Sequence, residues 1–395
     1  MARPTNTNKR VFYATQVVAI GDQGATGVVD SWQPSDGANS FNGNGKVMIA
    51  HGVQSIGVTT NFNLEQIFEL GQLSLYENYE EVPEIEVTFE KVLDGYSLLY
   101  HLGTVDATSP ALPGRSTART DVRMAVGLET NEYMATGVNS GIAELYCSGM
   151  YISSVSYELA TEGNFTESTT FVGNDKQWLT DSEAGLLSDA NGELIDVLGD
   201  SVFGSDAPVG VGNSVLRRQN LVVGNAGKTY GGTSFTTQVP DILTADVTNT
   251  GNLTRTVYIV EGSGPFIQSA SISVDLGRED IQQLGKKAPY YRYVSFPVDV
   301  TCDIEITATN GDNVDAAEEA KNLSDHSIQF VLDDSTVFQL GNKNKLTTVS
   351  YGGGDAGGGN ATITYSFTNS NDFVVLHSGD PMALEAGNYF KNWFA

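Results

Sequence analysis

QSIGVTTNFNLEQIFELGQLSLYENYEEVP, residues 54–83, returns as QSASISVDLGREDIQQLGKKAPYYRYVSFP at residues 268–297, without a gap and at a constant offset of 214 residues (268 against 54). Gln54/Gln268, Ser55/Ser269, Glu65/Glu279, Ile67/Ile281, Leu70/Leu284, Gly71/Gly285, Tyr76/Tyr290, Tyr79/Tyr293 and Pro83/Pro297 are identical pairs. Val58/Ile272, Thr59/Ser273, Asn61/Asp275 and Phe62/Leu276 are conservative ones. Chance similarity does not hold Leu-Gly, two Tyr and a Pro at one offset, so the two stretches read as copies of one unit.

Beyond the proline the match continues if the second copy carries one more residue. Glu84-Ile85-Glu86-Val87-Thr88-Phe89-Glu90 then meets Asp299-Val300-Thr301-Cys302-Asp303-Ile304-Glu305. Both alternate apolar with acidic or Thr side chains, and a period of two predicts half-buried strands. The added residue is what a β-bulge would supply. Ile152–Tyr157 pairs likewise with Leu346–Tyr351, and Asn164–Phe171 with Asn360–Phe367. The segments between, Glu158–Gly163 and the Gly-rich Gly352–Gly359, differ in length, as hairpin tips do. Val122–Val126 and Ser327–Val331 read as a further equivalent strand pair.

These blocks predict a mainly β chain of two tandem homologous β-sandwich or barrel-like domains, each with at most a short helix. Domain 1 is expected at 10–180 with an insertion near 103–118, a connector at 181–249, domain 2 at 250–380, and an aromatic C-terminal tail at 381–395. The connector carries a helical pattern over Ser182–Leu198, and domain 2 an acidic helix candidate at Asn313–Leu323. Tyr76, Tyr79, Tyr290 and Tyr293 are expected in core or edge packing. The tail, with Tyr389, Phe390, Trp393 and Phe394, is expected to dock on its own domain or a neighbour.

Composition agrees with many short strands and turns: among 395 residues, 43 are Gly and only 17% are charged. Valine and threonine suit a pleated surface, while Gly and Asn tolerate positive φ. With 48 Asp and Glu against 21 Lys and Arg, the net charge is −27 and a basic nucleic-acid footprint is missing. Cys147 and Cys302 lack Cys-x-x-Cys spacing, so neither a disulfide framework nor a zinc site is indicated. No run approaches the roughly 20 apolar residues of a membrane-spanning helix. Met1–Arg10 is polar, which predicts synthesis in a cytoplasm without a signal peptide.

Motifs of chemistry are weak. Val223–Thr229 imitates a phosphate loop, but its first glycine position is Val222 and no clear helix follows. His51, His101, His326 and His377 are scattered without metal-ligand spacing. There is no Gly-x-Ser-x-Gly elbow. No cofactor, metal or catalytic residue is expected.

Asp275–Ile281 and Pro289–Pro297, with the strands that follow, resemble the tail tube, or major tail protein, family of tailed bacteriophages. The resemblance spans both repeats. It implies β-sandwich domains, six to a ring, stacked into a hollow tube that passes DNA, located in the virion tail. Two domains per chain then imply trimeric rings of pseudo-sixfold symmetry; single-domain members form hexamers. Partners would be copies of the chain itself, other tail proteins, and DNA in transit. A channel that must not grip DNA suits acidic walls. Glu84, Glu86, Glu90, Asp299, Asp303 and Glu305 are therefore the candidates for the lumen face, an ordinary solvated face being the alternative. Other virion components (sheath, baseplate hub or decoration protein) and a carbohydrate-binding, adhesin-like β-protein are the competing readings.

Overall fold

A computed structural model describes residues 16–24, 28–29, 47–71, 73–126, 143–180, 215–223, 228–230, 233–243, 256–258, 265–286, 289, 291–309, 311–312, 314, 325–354 and 359–377. The helix candidates at Ser182–Leu198 and, apart from Val314, Asn313–Leu323, and the aromatic tail lie outside the described residues. The described chain is mainly β. Its first half holds β1 (Gln16–Asp22), β2 (Val28–Val29), β3 (Val47–Ile49), β4 (Val53–Asn61), β5 (Leu64–Phe68), β6 (Leu75–Glu80), β7 (Glu84–Val92), β8 (Thr120–Val126), β9 (Ala143–Ala160), β10 (Thr166–Gly173) and β11 (Asp175–Thr180). A hairpin of β12 (Lys228–Tyr230) and β13 (Thr233–Phe235) follows. The second half holds β14 (Gln238–Pro240), β15 (Thr256–Tyr258), β16 (Ile267–Asp275), β17 (Arg278–Ile281), β18 (Tyr291–Val294), β19 (Asp299–Thr307), β20 (Gln329–Val331), β21 (Val337–Gln339), β22 (Lys345–Gly352), β23 (Thr362–Ser370) and β24 (Val374–Leu376). Among the described residues, helix is confined to the turns α1 (Leu99–Leu102) and α2 (Leu112–Arg115), which flank or fall in the expected insertion, and to short 3-10 turns.

One order of neighbours occurs twice. In the first half the hydrogen-bonded order is β4-β7-β10-β9, and in the second it is β16-β19-β23-β22. A second layer runs β3-β1-β8-β9-β11 in the first half and β15-β14-β20-β21-β24 in the second. Strand β9 belongs to both layers of its half; its bend falls at Gly149, whose φ of +64° favours glycine. In the second half the same course is split into β21 and β22. Strand β14 lies inside the stretch expected to be connector, yet it is a member of the second-half layer.

Fine geometry recurs as well. The ladder skips Gln54 between β4 and β7 and Gln268 between β16 and β19; it skips Ser153 in β9 and Thr347 in β22. Gln54 Nε2 donates to Gly52 O at 3.2 Å and Gln268 Nε2 to Phe266 O at 3.3 Å, holding the two irregular strand ends alike. The bulges thus sit in the same strands of both halves. The extra residue of the second stretch is Val298, in the turn before β19, where its N–H donates to Asn371 Oδ1 at 2.8 Å. The expectation that this residue forms a bulge is corrected: a bulge needs a strand partner to oppose it, and Val298 precedes the ladder.

Ile85, Val87, Phe89, Ile152 and Phe171 from one layer of the first half share an apolar cluster with Ile20, Val122 and Leu145 from the other. Val300, Ile304, Tyr365 and Phe367 meet Phe330 and Phe338 in the second half, and both groups belong to one continuous apolar cluster. Alternation along β7 and β19 sends the apolar set inward and leaves the acidic set outside.

Candidate assembly interface

The two four-strand sheets are joined edge to edge by β9 and β16. Seven Cα pairs run antiparallel from Ser269↔Ala160 to Asp275↔Ser154. Ile272 faces Tyr157 and Val274 faces Val155, all four buried. Leu276 N–H donates to Ser153 O at 2.8 Å and Thr161 N–H to Gln268 O at 2.9 Å, lengthening the ladder at both ends. The product is one continuous eight-strand path, β4-β7-β10-β9-β16-β19-β23-β22.

On the outer face of that path lie the six acidic candidates. Glu90 stands opposite Ser55 and Ser168, Glu86 opposite Thr59, and Glu84 opposite Asn61. Asp299 stands opposite Ser370, Asp303 opposite Ser271 and Ser366, and Glu305 opposite Ser269 and Thr364. Cross-strand partners share a face, so all six share this one. The two trios are four strand spacings apart, roughly 19 Å. Ser55 Oγ donates to Glu90 at 3.5 Å and Ser269 Oγ to Glu305 at 3.2 Å, the same contact in each half. Glu84 differs from the rest, being ion-paired to Arg292 at 3.1 Å.

That pair belongs to a clamp with no counterpart among the motifs legible in the sequence. The hairpin β17–β18 folds back onto the first half. Arg278 Nε donates to Ile152 O at 2.8 Å, its Nη1 to Ser116 O at 2.6 Å, and its guanidinium lies 4.9 Å from the Tyr151 ring centroid. Arg119 covers the Tyr151 and Tyr291 rings at 5.4 and 5.3 Å. Burial pulls Arg278 down to about 10, which leaves it charged at neutral pH. Arg292 also donates to Asn174 Oδ1 at 3.3 Å, and its Nε lies 3.1 Å from Asp280, close enough for an ion pair but outside hydrogen-bond alignment. Burial raises Asp280 while Arg292 opposes the rise. At the constant offset, Arg278 and Arg292 stand where the first stretch has Leu64 and Asn78. The signal for the clamp in the sequence is therefore two arginines that depart from the repeat.

The first hairpin, β5–β6, has the same cross-strand register: Glu65 faces Tyr79 as Glu279 faces Tyr293. Gly71 and Gly285 take positive φ at the two tips, +93° and +83°, a conformation suited to glycine. Yet every residue of β5 and β6 is exposed, with Leu64 at 62% and Phe68 at 60%. Tyr76 and Tyr79 are exposed too, which corrects the expectation that they pack in a core or edge: their hairpin stands out from the layers of the single chain. Tyr293 is half-buried and donates to Glu279 at 2.6 Å, and Tyr290 lies outside the described residues. A polar cleft lined by Tyr79, Glu81, Asp280, Lys286 and Arg292 separates the two hairpins.

The other motifs resolve simply. Lys228 opens a β-strand, so no helix N-terminus is there to hold phosphate. His101 and His377, far apart in sequence, are buried with ring centroids 6.3 Å apart, and His377 Nε2 lies 3.7 Å from Asp334. Among the described residues, no group of three or more His, Cys, Asp or Glu is placed to hold a metal. Burial pushes the Cys147 thiol up to about 12 and raises Cys302 further, so neither is a thiolate at neutral pH. No described helix is long and apolar enough to cross a membrane.

No family model and no curated protein matches the chain. Two similar solved structures come from the anti-feeding prophage. One is its baseplate, six-fold symmetrised, with 12% identity, 46% of this chain and 98% of that chain covered, and a TM-score of 0.28. The other is its tube-terminating cap, with 12% identity, 46% and 99% covered, and a TM-score of 0.29. Likeness at such TM-scores carries no argument about this chain.

Proposed function

We propose that the chain is a non-catalytic structural subunit of a phage-tail-like particle, a tail tube protein built from two copies of one β unit. Its copies join edge to edge into a ring, and the rings stack into a tube that passes DNA. The observation that carries this reading is the β9–β16 joint. It uses the last strand of one four-strand sheet and the first strand of the next, and the eight-strand path terminates in the same two kinds of strand, β22 and β4. Among the described residues β4 pairs only with β7 and β22 only with β23. An entry edge and an exit edge that fit each other make a heterologous contact, which closes into a ring when the rotation allows. Carrying the register of β9–β16 over to β22 and β4 puts Val58 of one copy opposite Tyr351 of another, and Asn61 opposite Thr348. Three chains, each with two units, then make a pseudo-sixfold ring.

The outer face of Ser, Thr, Asp and Glu lines the channel in this arrangement. A basic lining would neutralise phosphates and bind DNA tightly, whereas an acidic one leaves it free to slide. The test is electron microscopy of the purified full-length chain at increasing concentration. Annular particles with a central channel and threefold averages are expected. A chain that stays monomeric by light scattering at every concentration and salt overturns the proposal.

A further inference from the structure

We infer that the joint between chains is chemically unlike the joint within the chain: the exposed β5–β6 hairpin docks on the second half of a neighbouring copy through apolar contacts, where β17–β18 is held by arginines. This rests on the proposed ring for the presence of the second copy, and adds to it which surface is covered and by what chemistry.

The two hairpins are equivalent in register, in tip glycine and in their place directly after an edge strand. One is seated on the chain and the other is bare. Where β17–β18 sits, its seat is the middle of β9, just past Gly149 and beside the β9–β16 joint, at Ile152 and Tyr151. The equivalent seat in the second half is the start of β22, at Leu346 and Lys345, beside an edge without a partner among the described residues. A second copy whose β4 continues that edge carries its own β5–β6 across this seat. The occupant is therefore another copy of this chain.

The side chains that meet there are different. Leu64 takes the place of Arg278 and faces Leu346 and the aliphatic stem of Lys345, whose ammonium is engaged by Asp325 at 2.7 Å. Asn78 takes the place of Arg292, and the carboxylate it approaches is Asp299 in place of Glu84. The buried peptide carbonyl of Ser116, which Arg278 satisfies, belongs to the segment that the sequence reads as an insertion in the first half. A leucine at position 64 suits the apolar surface that Leu346 offers. The joint within the chain is thus a set of charge-assisted hydrogen bonds, directional and stable once formed. Between chains it is an apolar contact, non-directional and strengthened by salts that are excluded from protein surfaces. Six seats per ring alternate between the two kinds, so the ring parts at three places.

The experiment uses the full chain with Leu64→Asp, and separately the pair Leu64→Cys with Leu346→Cys. Leu64 is exposed in the monomer, so Leu64→Asp is expected to keep the wild-type circular dichroism and thermal midpoint. The concentration of half-assembly is expected to rise on the order of tenfold or more, from the loss of a buried leucine at each joint. The cysteine pair, treated with oxidised glutathione, is expected to give covalent ladders of up to three chains on denaturing gels. Wild-type rings whose assembly Leu64→Asp leaves unchanged, or rings of the cysteine pair without a ladder, overturn this inference and leave the proposed function standing. A wild-type chain that never assembles overturns both.

Discussion

Glu167 is completely buried and accepts hydrogen bonds from the N–H groups of Leu99 and Tyr100, at 2.8 and 2.9 Å, and from Tyr157 Oη at 2.9 Å. It therefore ties the turn α1 to the joint strand β9. Burial raises its pKa although these donors oppose the rise. Its sign follows from linkage: a carboxyl raised in the folded state stabilises fully below its ordinary value near 4.3, and that contribution declines as pH climbs through the folded value. Glu167→Gln swaps one acceptor oxygen for an amide that meets donors, at a cost of about 1–3 kcal/mol. Urea denaturation is expected to show this loss, with the gap to wild type narrowing as pH rises above the ordinary glutamate range; a gap that widens refutes the assignment. At the equivalent position the second half has Ile363, so nothing in the repeat announced this residue.

At the scale of elements, the β17–β18 hairpin is a satellite held by two side chains. Its own strands are short, and a lone two-stranded hairpin is marginal in water. Arg278→Leu, which writes the first hairpin's residue into the second, strands the carbonyls of Ile152 and Ser116. The expected result is faster amide hydrogen exchange over residues 278–294, on the order of 10- to 100-fold, with β7 and β10 protected as before. Arg278→Lys is not expected to restore protection, because an ammonium lacks the fork that reaches two carbonyls while stacking on Tyr151. Unchanged exchange in the leucine variant would show that the hairpin holds itself. The repeat marked these residues as equivalent to 64–80 without assigning them to strands; where the hairpin lies depends on residues well over a hundred positions away.

For the whole molecule, a net charge of −27 and an outer face of acidic and hydroxyl side chains mean self-repulsion at low ionic strength. Acids on alternate residues of one strand are roughly 7 Å apart, inside the Debye length of about 10 Å at 0.1 M salt. Raising sodium chloride from about 20 mM to 500 mM is therefore expected to raise the thermal midpoint by a few degrees and to promote assembly. Replacing Glu86, Glu90, Asp299 and Asp303 with their amides is expected to reproduce much of that gain at low salt. A midpoint that falls steadily with salt would mean that attractive pairs, such as Arg292 with Glu84, dominate the balance.

Strand identity was determined locally by the sequence. Alternation in Glu84–Glu90 and Asp299–Glu305 needs only the two-residue period of a half-buried strand, and the constant offset from Gln54 to Pro83 orders the elements of both halves. The acidic face is legible for the same reason, since parity alone puts those six residues on one side. Only the tertiary structure decided that β9 bends at Gly149 to serve both layers, that β9 meets β16, and that β17–β18 is seated while Tyr76 and Tyr79 stay exposed. Which edges meet and which hairpin is covered depends on groups distant in the chain coming together, Arg278 with Ser116 among them, and no short pattern encodes that meeting.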